Sequence, residues 1–201
     1  MDLETGHTEN GATLTERQGQ ALLCLARSVI ARRLDLAEDN TCDDAVLSES
    51  ALQEHRGVFV TLTIGGQLRG CIGSLGAASS IVNGVRENAI NAAFGDPRFH
   101  SLSIDEYGSI EIEVSVLTEP QPLDYTDGDD LIAKLRPNID GIIITKGSAR
   151  ATFLPQVWEQ LPQPENFLSH LCQKAMLNAN AWRDGTLDVQ TYNVQYFHEQ
   201  R

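Results

Sequence analysis

The sequence is poor in positive charge and in cysteine. Its 201 residues carry 15 Lys and Arg against 28 Asp and Glu, so the formal net charge is −13. This charge opposes non-specific binding to nucleic acid or to an anionic membrane surface. The four cysteines are widely spaced and form neither a Cys-x-x-Cys pair nor a cysteine triplet. We therefore predict no nucleic-acid binding, no membrane binding and no zinc or iron site.

Signals for export, membrane insertion and nucleotide binding are also missing. No apolar run approaches transmembrane length, and the N-terminal residues are acidic and polar, whereas a secretory signal is basic and then apolar. Neither a P-loop nor a Gly-x-Gly-x-x-Gly sequence occurs. We expect a cytoplasmic protein without a cofactor, and we expect its cysteines to be reduced.

The apolar residues that are present, 41% of the chain, suffice for a folded core. Residues 1–14 are predicted to be a flexible tail, and capping boxes at Thr13 or Thr15 predict a helix over about 15–35. Patterning further predicts a hairpin of strands over 58–64 and 67–73, a helix from Ser79 or Ser80 to Phe94 with a left-handed Gly95 after it, a strand over 109–117, a helix near 129–136, strands over 141–145 and 149–154, a helix over 164–177 and a final strand over 187–197.

The order of these elements indicates an α+β fold, with a mostly antiparallel sheet flanked by helices. The sequence Glu119-Pro120-Gln121-Pro122 interrupts the pattern. We predict a single domain over residues 15–201, with a smaller subdomain near 119–162 as an open alternative.

A tight hairpin is predicted at Gly65-Gly66, because both residues can adopt the positive φ that a two-residue turn needs. The segment Leu68–Gly73 follows this turn. Side chains of a strand alternate between its faces, so Arg69 and Cys71 are predicted to share one face.

This segment supports two interpretations. In the first, Arg69 favours the thiolate of Cys71, and Gly70 and Gly73 leave room for a ligand to approach. In the second, Cys71 is a small buried hydrophobe, and the glycines mark close packing or a bulge. Spacing alone does not decide between them.

Charged residues elsewhere extend the first interpretation. Asp96 and Arg98 flank a proline. In one interpretation Asp96 caps a local turn. In the other, Arg98 and Arg69 bind an anion together. Glu113 lies on the polar face of a predicted strand, which is solvated by default. If that face lines a cleft, Glu113 orients Arg69 or acts as a general base.

These features together resemble the AMMECR-type domain family, whose bacterial and archaeal members are called the A component of the Amme-Memo-RadicalSAM system. The resemblance rests on Leu68–Gly73 and extends, in the same order, to Asp96–Phe99, Glu111–Leu117, Asp140-Gly141, Phe153–Val157, Lys174 and Trp182. It covers the chain from about residue 15 to the end. His100 departs from it, because the family pattern is expected to carry proline after Phe99.

The resemblance implies an α+β fold of two closely packed subdomains and a role beside a Memo-like protein and a radical S-adenosylmethionine enzyme. Our hypothesis is a small cytoplasmic enzyme or enzyme subunit, with an unknown small-molecule substrate in a cleft between the subdomains. Its predicted catalytic residues are Cys71, Arg69 and Glu113, and its predicted ligand-binding residues are Gly70, Gly73, Asp96 and Arg98. The alternative is a non-catalytic binding or adaptor protein in which Leu68–Gly73 is structural.

Overall fold

The structure is a computed structural model that describes residues 13–37, 42–76 and 78–199. The chain divides into two compact units, the first made by residues up to Leu117 and from Gln195 onward, the second by Thr118–Val194. The predicted tail lies outside the described residues except for its last two. Of these, Leu14 is buried, and its N–H and C=O bind the side chain of Gln195.

The predicted α+β class is confirmed, and most predicted elements are present within three residues of their expected ends. The helices are α1 (Glu16–Arg33), α2 (Asp44–Leu47), α3 (Ser50–Gln53), α4 (Ile81–Phe94), α5 (Ile104–Tyr107), α6 (Gly128–Lys134), α7 (Val157–Gln160) and α8 (Pro164–Lys174). The strands are β1 (Val58–Ile64), β2 (Gln67–Ser74), β3 (Ile110–Leu117), β4 (Gln121–Pro122), β5 (Gly141–Lys146), β6 (Ala149–Phe153), β7 (Asp188–Tyr192) and β8 (Val194–His198). Among the described residues, no helix has both the length and the apolar character to cross a membrane.

The first unit is a four-stranded sheet with helices on one face. Its strands lie in the order β2-β1-β3-β8, and β1 pairs antiparallel with both β2 and β3. Alternate residues of β1 and β3 face α1 and α4 and form the core with them, as a period of two predicts. These residues are Val58, Val60, Leu62, Ile110, Ile112, Val114 and Val116.

Local signals fix the ends of the helices and turns in this unit. The hairpin turn is confirmed, because Gly65 and Gly66 have φ of 56° and 76°. Thr15 caps α1 in a capping box, the second of the two that the sequence offered. Gly95 has φ −124°, so the predicted left-handed stop after α4 is wrong. The helix α4 ends at Phe94 because Pro97 disfavours helical backbone at Asp96, the residue before it.

The second unit is a separate antiparallel sheet in the order β4-β7-β5-β6. It begins next to the predicted break but continues well beyond the predicted range of 119–162. The predicted final strand is wrong as a single strand, because Asn193 divides it into β7 in this sheet and β8 in the first. At the division, the backbone of Asn193 pairs with Thr118 instead. The core of the second unit is centred on the stacked rings of Trp158 and Phe167.

Two of the four cysteines are paired. A disulfide bond joins Cys24 in α1 to Cys42, which precedes the N-cap residue of α2. The expectation that all the cysteines are reduced is therefore wrong for this pair, whereas Cys71 and Cys172 are free. The pair is 18 residues apart in sequence, and only the packing of α2 against α1 brings the two sulfurs together.

Candidate functional site

The strand β2 lies at an edge of the first sheet and contains a β-bulge at Arg69. Leu68 pairs with Thr63 and Gly70 pairs with Leu62, so Arg69 is an extra residue without a partner on β1. Leu62 faces the helices, and Gly70 opposite it does so too. Arg69 and Gly70 are both buried, whereas Leu68 is exposed. The bulge therefore places Arg69 beside Gly70 on the helix face.

The predicted placement of Arg69 beside the Cys71 thiol is consequently wrong. The Arg69 guanidinium donates to the two carboxylate oxygens of Glu106 at 2.8 and 3.1 Å, and to the carbonyl oxygen of His100 at 2.9 Å. The hydrogen bond from Arg69 is the largest cause that lowers the pKa of Glu106 to about 2. The carboxylate that orients Arg69 is thus Glu106, and the prediction that Glu113 does so is also wrong.

The backbone of Cys71 is bound by side chains instead of a further strand. Its N–H donates to Oδ2 of Asp96 at 2.9 Å, and its carbonyl oxygen accepts from Nη2 of Arg98 at 3.1 Å. Asp96 in turn accepts from Nε and Nη2 of Arg98 at 3.0 and 2.7 Å. We call Asp96 and Arg98 the edge clamp, because together they occupy the donor and the acceptor that Cys71 presents at the edge of the sheet.

Hydrogen bonds within the edge clamp stabilise the ionised form of Asp96 beside Arg98. Asp96 is buried, and it also accepts a hydrogen bond from the N–H of Arg98. The side-chain bond from Arg98, assisted by the backbone N–H groups of Cys71 and Arg98, holds the pKa of Asp96 well below its usual range. Arg69 and Arg98 each have a carboxylate of their own. They therefore belong to separate ion pairs, and anion binding by the two together stays a prediction.

The thiol of Cys71 lies on the sheet face opposite the helices. Cys71 pairs with Thr61 of β1, and the Thr61 hydroxyl donates to Sγ at 3.4 Å. Cys71 is half-buried, whereas Cys172 is fully buried in the second unit, where burial raises its pKa. Of the two free cysteines, Cys71 is the more exposed.

Glu113 lies on the same face as the thiol, two strands away. It pairs with Thr61 across β1 and β3, so its backbone is about 10 Å from that of Cys71, which is two strand spacings. Its carboxylate accepts from the hydroxyl of Ser115 at 3.0 Å and lies 3.3 Å from Nδ1 of His198. Glu113 is therefore too far from Cys71 to take its proton directly, and it faces a different part of any ligand bound to this face.

Packing explains the two glycines that were predicted to bind a ligand. A Cβ at Gly70 would lie 2.1 Å from the carbonyl oxygen of Ala92 in α4, and a Cβ at Gly73 would lie 2.3 Å from the ring of Phe59. The protein itself fills the space beside each glycine, as the interpretation of a bulge with close packing requires. A part for them in ligand binding stays a prediction.

Three residues of this region were not predicted, namely Thr61, Glu106 and His198. A hairpin without the bulge would shift Thr61 by one position away from Cys71, so the sequence could not place it beside the thiol. Glu106 does carry a local signal, because it completes a capping box with Ser103 at the start of α5. The capping box predicts the position of Glu106 in α5, but it does not predict the ion pair of Glu106 with Arg69.

The site as described offers a thiol, a hydroxyl donor, a guanidinium and a distant carboxylate. All of these groups belong to the first unit. Within the ranges that the structure describes, no three His, Cys, Asp or Glu side chains are grouped so that they could hold a metal ion. Of the groups that are present, the thiol is the one that becomes a nucleophile when it loses its proton.

Comparisons with known proteins agree with the resemblance seen in the sequence. A model of the family described as AMMECR1 matches residues 23–197. The chain belongs to the AMMECR1 family. A protein of Methanothermobacter thermautotrophicus is 36% identical over 94% of this chain and 97% of its own, and one of Methanosarcina mazei is 38% identical over 92% and 94%.

A solved structure shares the fold described above. The crystal structure of an uncharacterized protein from Pyrococcus horikoshii is similar with a TM-score of 0.76 and 30% identity, over 93% of this chain and 94% of the other. The AMMECR1 match begins in α1 and ends in β8. Membership in the AMMECR1 family therefore covers residues of both units.

Proposed function

We propose that the protein is a thiol-dependent enzyme, or a subunit of one, whose reactive group is the Cys71 thiol. One observation carries the proposal. Arg69, Gly70, Ile72 and Gly73 are all engaged in pairing or packing within the first unit, whereas Cys71 is half-buried and its side chain lies on the face opposite the helices. A strand this firmly held is a rigid support for a reactive group.

Each polar neighbour has a part in the proposed chemistry. The Cys71 sulfur forms a bond to an electrophilic carbon of a small substrate, the group that it displaces leaves with the electron pair of the broken bond, and the thiol proton passes to solvent. Thr61 orients the sulfur through its hydrogen bond, and the edge clamp fixes the strand. Glu113, which lies about 10 Å away, acts as a general acid or base on another part of the substrate. Arg69 loses the catalytic part that the sequence predicted, because Glu106 binds it on the other face.

Alkylation rates of the individual cysteines test this proposal. In the native protein without reductant, iodoacetamide should modify Cys71 at least as fast as a small free thiol. Cys172 should stay unmodified on the same timescale, since burial raises its pKa and shields it. Thr61→Val removes the hydroxyl at nearly constant volume and should slow the labelling of Cys71 about threefold, which corresponds to one weak hydrogen bond. Labelling of Cys71 slower than that of the free thiol contradicts the proposal.

A second candidate function is a non-catalytic binding or adaptor protein, and the edge clamp and the packed glycines favour it. This function makes Cys71 structural, so Cys71→Ser should cost about 1–3 kcal/mol of unfolding free energy by burying a hydroxyl without a full set of partners. The enzyme proposal expects a change below about 0.5 kcal/mol, as at a surface position. Cys172→Ser is the matched control, because it makes the same change at a fully buried site and should be costly in either case.

The resemblance adds a cellular setting to the proposal. We infer that the activity serves one modification pathway with a Memo-like protein and a radical S-adenosylmethionine enzyme in the cytoplasm. Disulfides are rare in cytosolic proteins outside hyperthermophiles, so the bond between Cys24 and Cys42 provides a test. Thiols are alkylated in intact cells before lysis and identified by mass spectrometry. Alkylated Cys24 and Cys42 support a reducing compartment, and an unmodified pair from a mesophilic host contradicts it.

A further inference from the structure

We propose that the substrate of Cys71 carries a carboxylate, or another singly charged anionic oxygen, next to the carbon that the sulfur attacks, and that Arg98 binds this group. The inference rests on the proposed function, because it names the class of substrate for the same thiol. It assigns Arg98 the role of a specificity residue, separate from its role in the edge clamp.

Arg98 has hydrogen-bond donors that the protein does not use. Its Nε and Nη2 are bound by Asp96 and by the carbonyl oxygen of Cys71. Among the described residues, none accepts a hydrogen bond from Nη1 of Arg98, and the side chain is 53% exposed. Two N–H groups of a guanidinium that touches the Cys71 backbone are therefore available to a ligand.

Arg98 is also held in place before any ligand binds. The Asp96 carboxylate binds it through two nitrogens and is itself only 2% exposed. The ring of Phe99 lies 5.6 Å from the guanidinium carbon. Because these contacts have already reduced the rotamer freedom of the arginine, binding of an anion loses little further entropy.

Arg98 lies beside the residue that carries the thiol, because its Nη2 donates to the carbonyl oxygen of Cys71 at 3.1 Å. The pKa of Arg98 is raised chiefly by the hydrogen bond with Asp96, and the Cys71 side chain contributes in the same direction. A group bound at Nη1 would therefore lie next to the residue whose sulfur attacks.

The charge of the site favours a single negative charge over two. Asp96 already offsets much of the positive charge of Arg98 at short range. The chain as a whole carries a net charge of −13, which repels a dianion such as phosphate more strongly than a carboxylate. Arg69 does not add to the site, because it is buried and its Nη1 is shielded from solvent.

Two alkylating reagents test the inference. Iodoacetate and iodoacetamide react in the same way: the sulfur forms a bond to the CH2 carbon, iodide leaves with the electron pair of the broken C–I bond, and the thiol proton goes to solvent. The two differ in that only iodoacetate carries a carboxylate next to the reacting carbon. Second-order rate constants at Cys71 are measured with both reagents at 0.15 M salt, and a small free thiol gives the reference ratio.

We expect the iodoacetate-to-iodoacetamide ratio at Cys71 to exceed that of the free thiol about fivefold, the effect of one cation about 4 Å from an anion in a water-like dielectric. Arg98→Gln should return the ratio to the reference value. Arg86→Gln, which removes an exposed arginine of α4 that binds Asn83, should leave it unchanged. A ratio at or below the reference in the native protein overturns the inference without the need for any variant.

The test separates the inference from the proposed function. Slow labelling by iodoacetamide contradicts a reactive thiol, but the ratio of the two rate constants can still be measured at longer times. Fast labelling with a reference ratio keeps the thiol-dependent enzyme and overturns the anionic substrate. A ratio that drops equally in Arg98→Gln and Arg86→Gln also overturns it, since the effect is then one of overall charge.

Discussion

The two ion pairs beside β2 are built in opposite ways. In the pair on the helix face, the arginine is hidden and the acid is partly open: the Arg69 side chain is 9% exposed and that of Glu106 is 30% exposed. In the edge clamp the acid is hidden and the arginine is open, with Asp96 at 2% and Arg98 at 53%. The buried member of each pair serves the fold, and the exposed member is available to solvent. Only the edge clamp therefore presents a cation beside Cys71.

Sequence alone does not distinguish these two arginines. Each lies within three residues of Cys71 or of Asp96. The structure also places each guanidinium carbon within 6 Å of the same Phe99 ring. The bulge makes the difference, because it turns Arg69 towards the helices. The following predictions alter one member of a pair at a time.

The largest effect is expected from Glu106→Ala. This change leaves the buried guanidinium of Arg69 without a counter-ion, and such a loss costs about 3–5 kcal/mol of unfolding free energy. Urea denaturation at neutral pH measures it. Glu111→Ala is the control, because it removes an exposed carboxylate from β3 and should change stability by less than about 0.5 kcal/mol. A cost for Glu106→Ala near that of the control would mean that solvent reaches Arg69.

An intermediate effect on stability is expected from lowering the pH, which protonates Glu106. The pKa of Glu106 is about 2 in the folded protein and near its ordinary value of 4.5 when unfolded. A depressed folded pKa means that the stabilisation is fully present above pH 4.5 and is lost as the pH falls towards 2. The stability difference between the native protein and Glu106→Gln should therefore shrink over this range. A difference that stays constant from pH 5 to pH 2 would show that the charge of Glu106 is not what stabilises the pair.

The smallest of the three effects is expected from Asp96→Asn. It weakens the hydrogen bonds to Cys71 and Arg98, but Arg98 is exposed enough for water to solvate it. The cost should be about 1–3 kcal/mol, as for one buried donor left without its partner. Amide hydrogen exchange at Cys71 should accelerate at the same time. A loss greater than that of Glu106→Ala would reverse the order of the two pairs.

The sequence predicted the elements of the first unit well, because they depend on local signals. The Gly65-Gly66 turn and the alternating apolar residues of β3 each need only neighbouring residues to be recognised. The bulge at Arg69 depends instead on α4, whose Ala92 carbonyl occupies the space beside Gly70. A glycine within a strand was the available hint, since such glycines often mark bulges.

Contacts between distant segments account for the remaining differences. Thr61 could not be placed beside Cys71 without the register that the bulge creates. The division of the final strand at Asn193 depends on its pairing with Thr118, far away in the sequence. Residue type indicated that Asp96 could cap a local turn, but not that Asp96 and Arg98 would bind the backbone of Cys71.

The edge clamp also has a consequence for association between chains. An edge strand with a free N–H and C=O is a template on which another polypeptide can extend the sheet, and such edges promote aggregation and strand exchange. At Cys71 both groups are already occupied by Asp96 and Arg98. An incoming strand would have to displace a buried carboxylate from four hydrogen bonds before it could pair at this residue. The two side chains thus oppose the pairing of a second chain at the residue that carries the thiol.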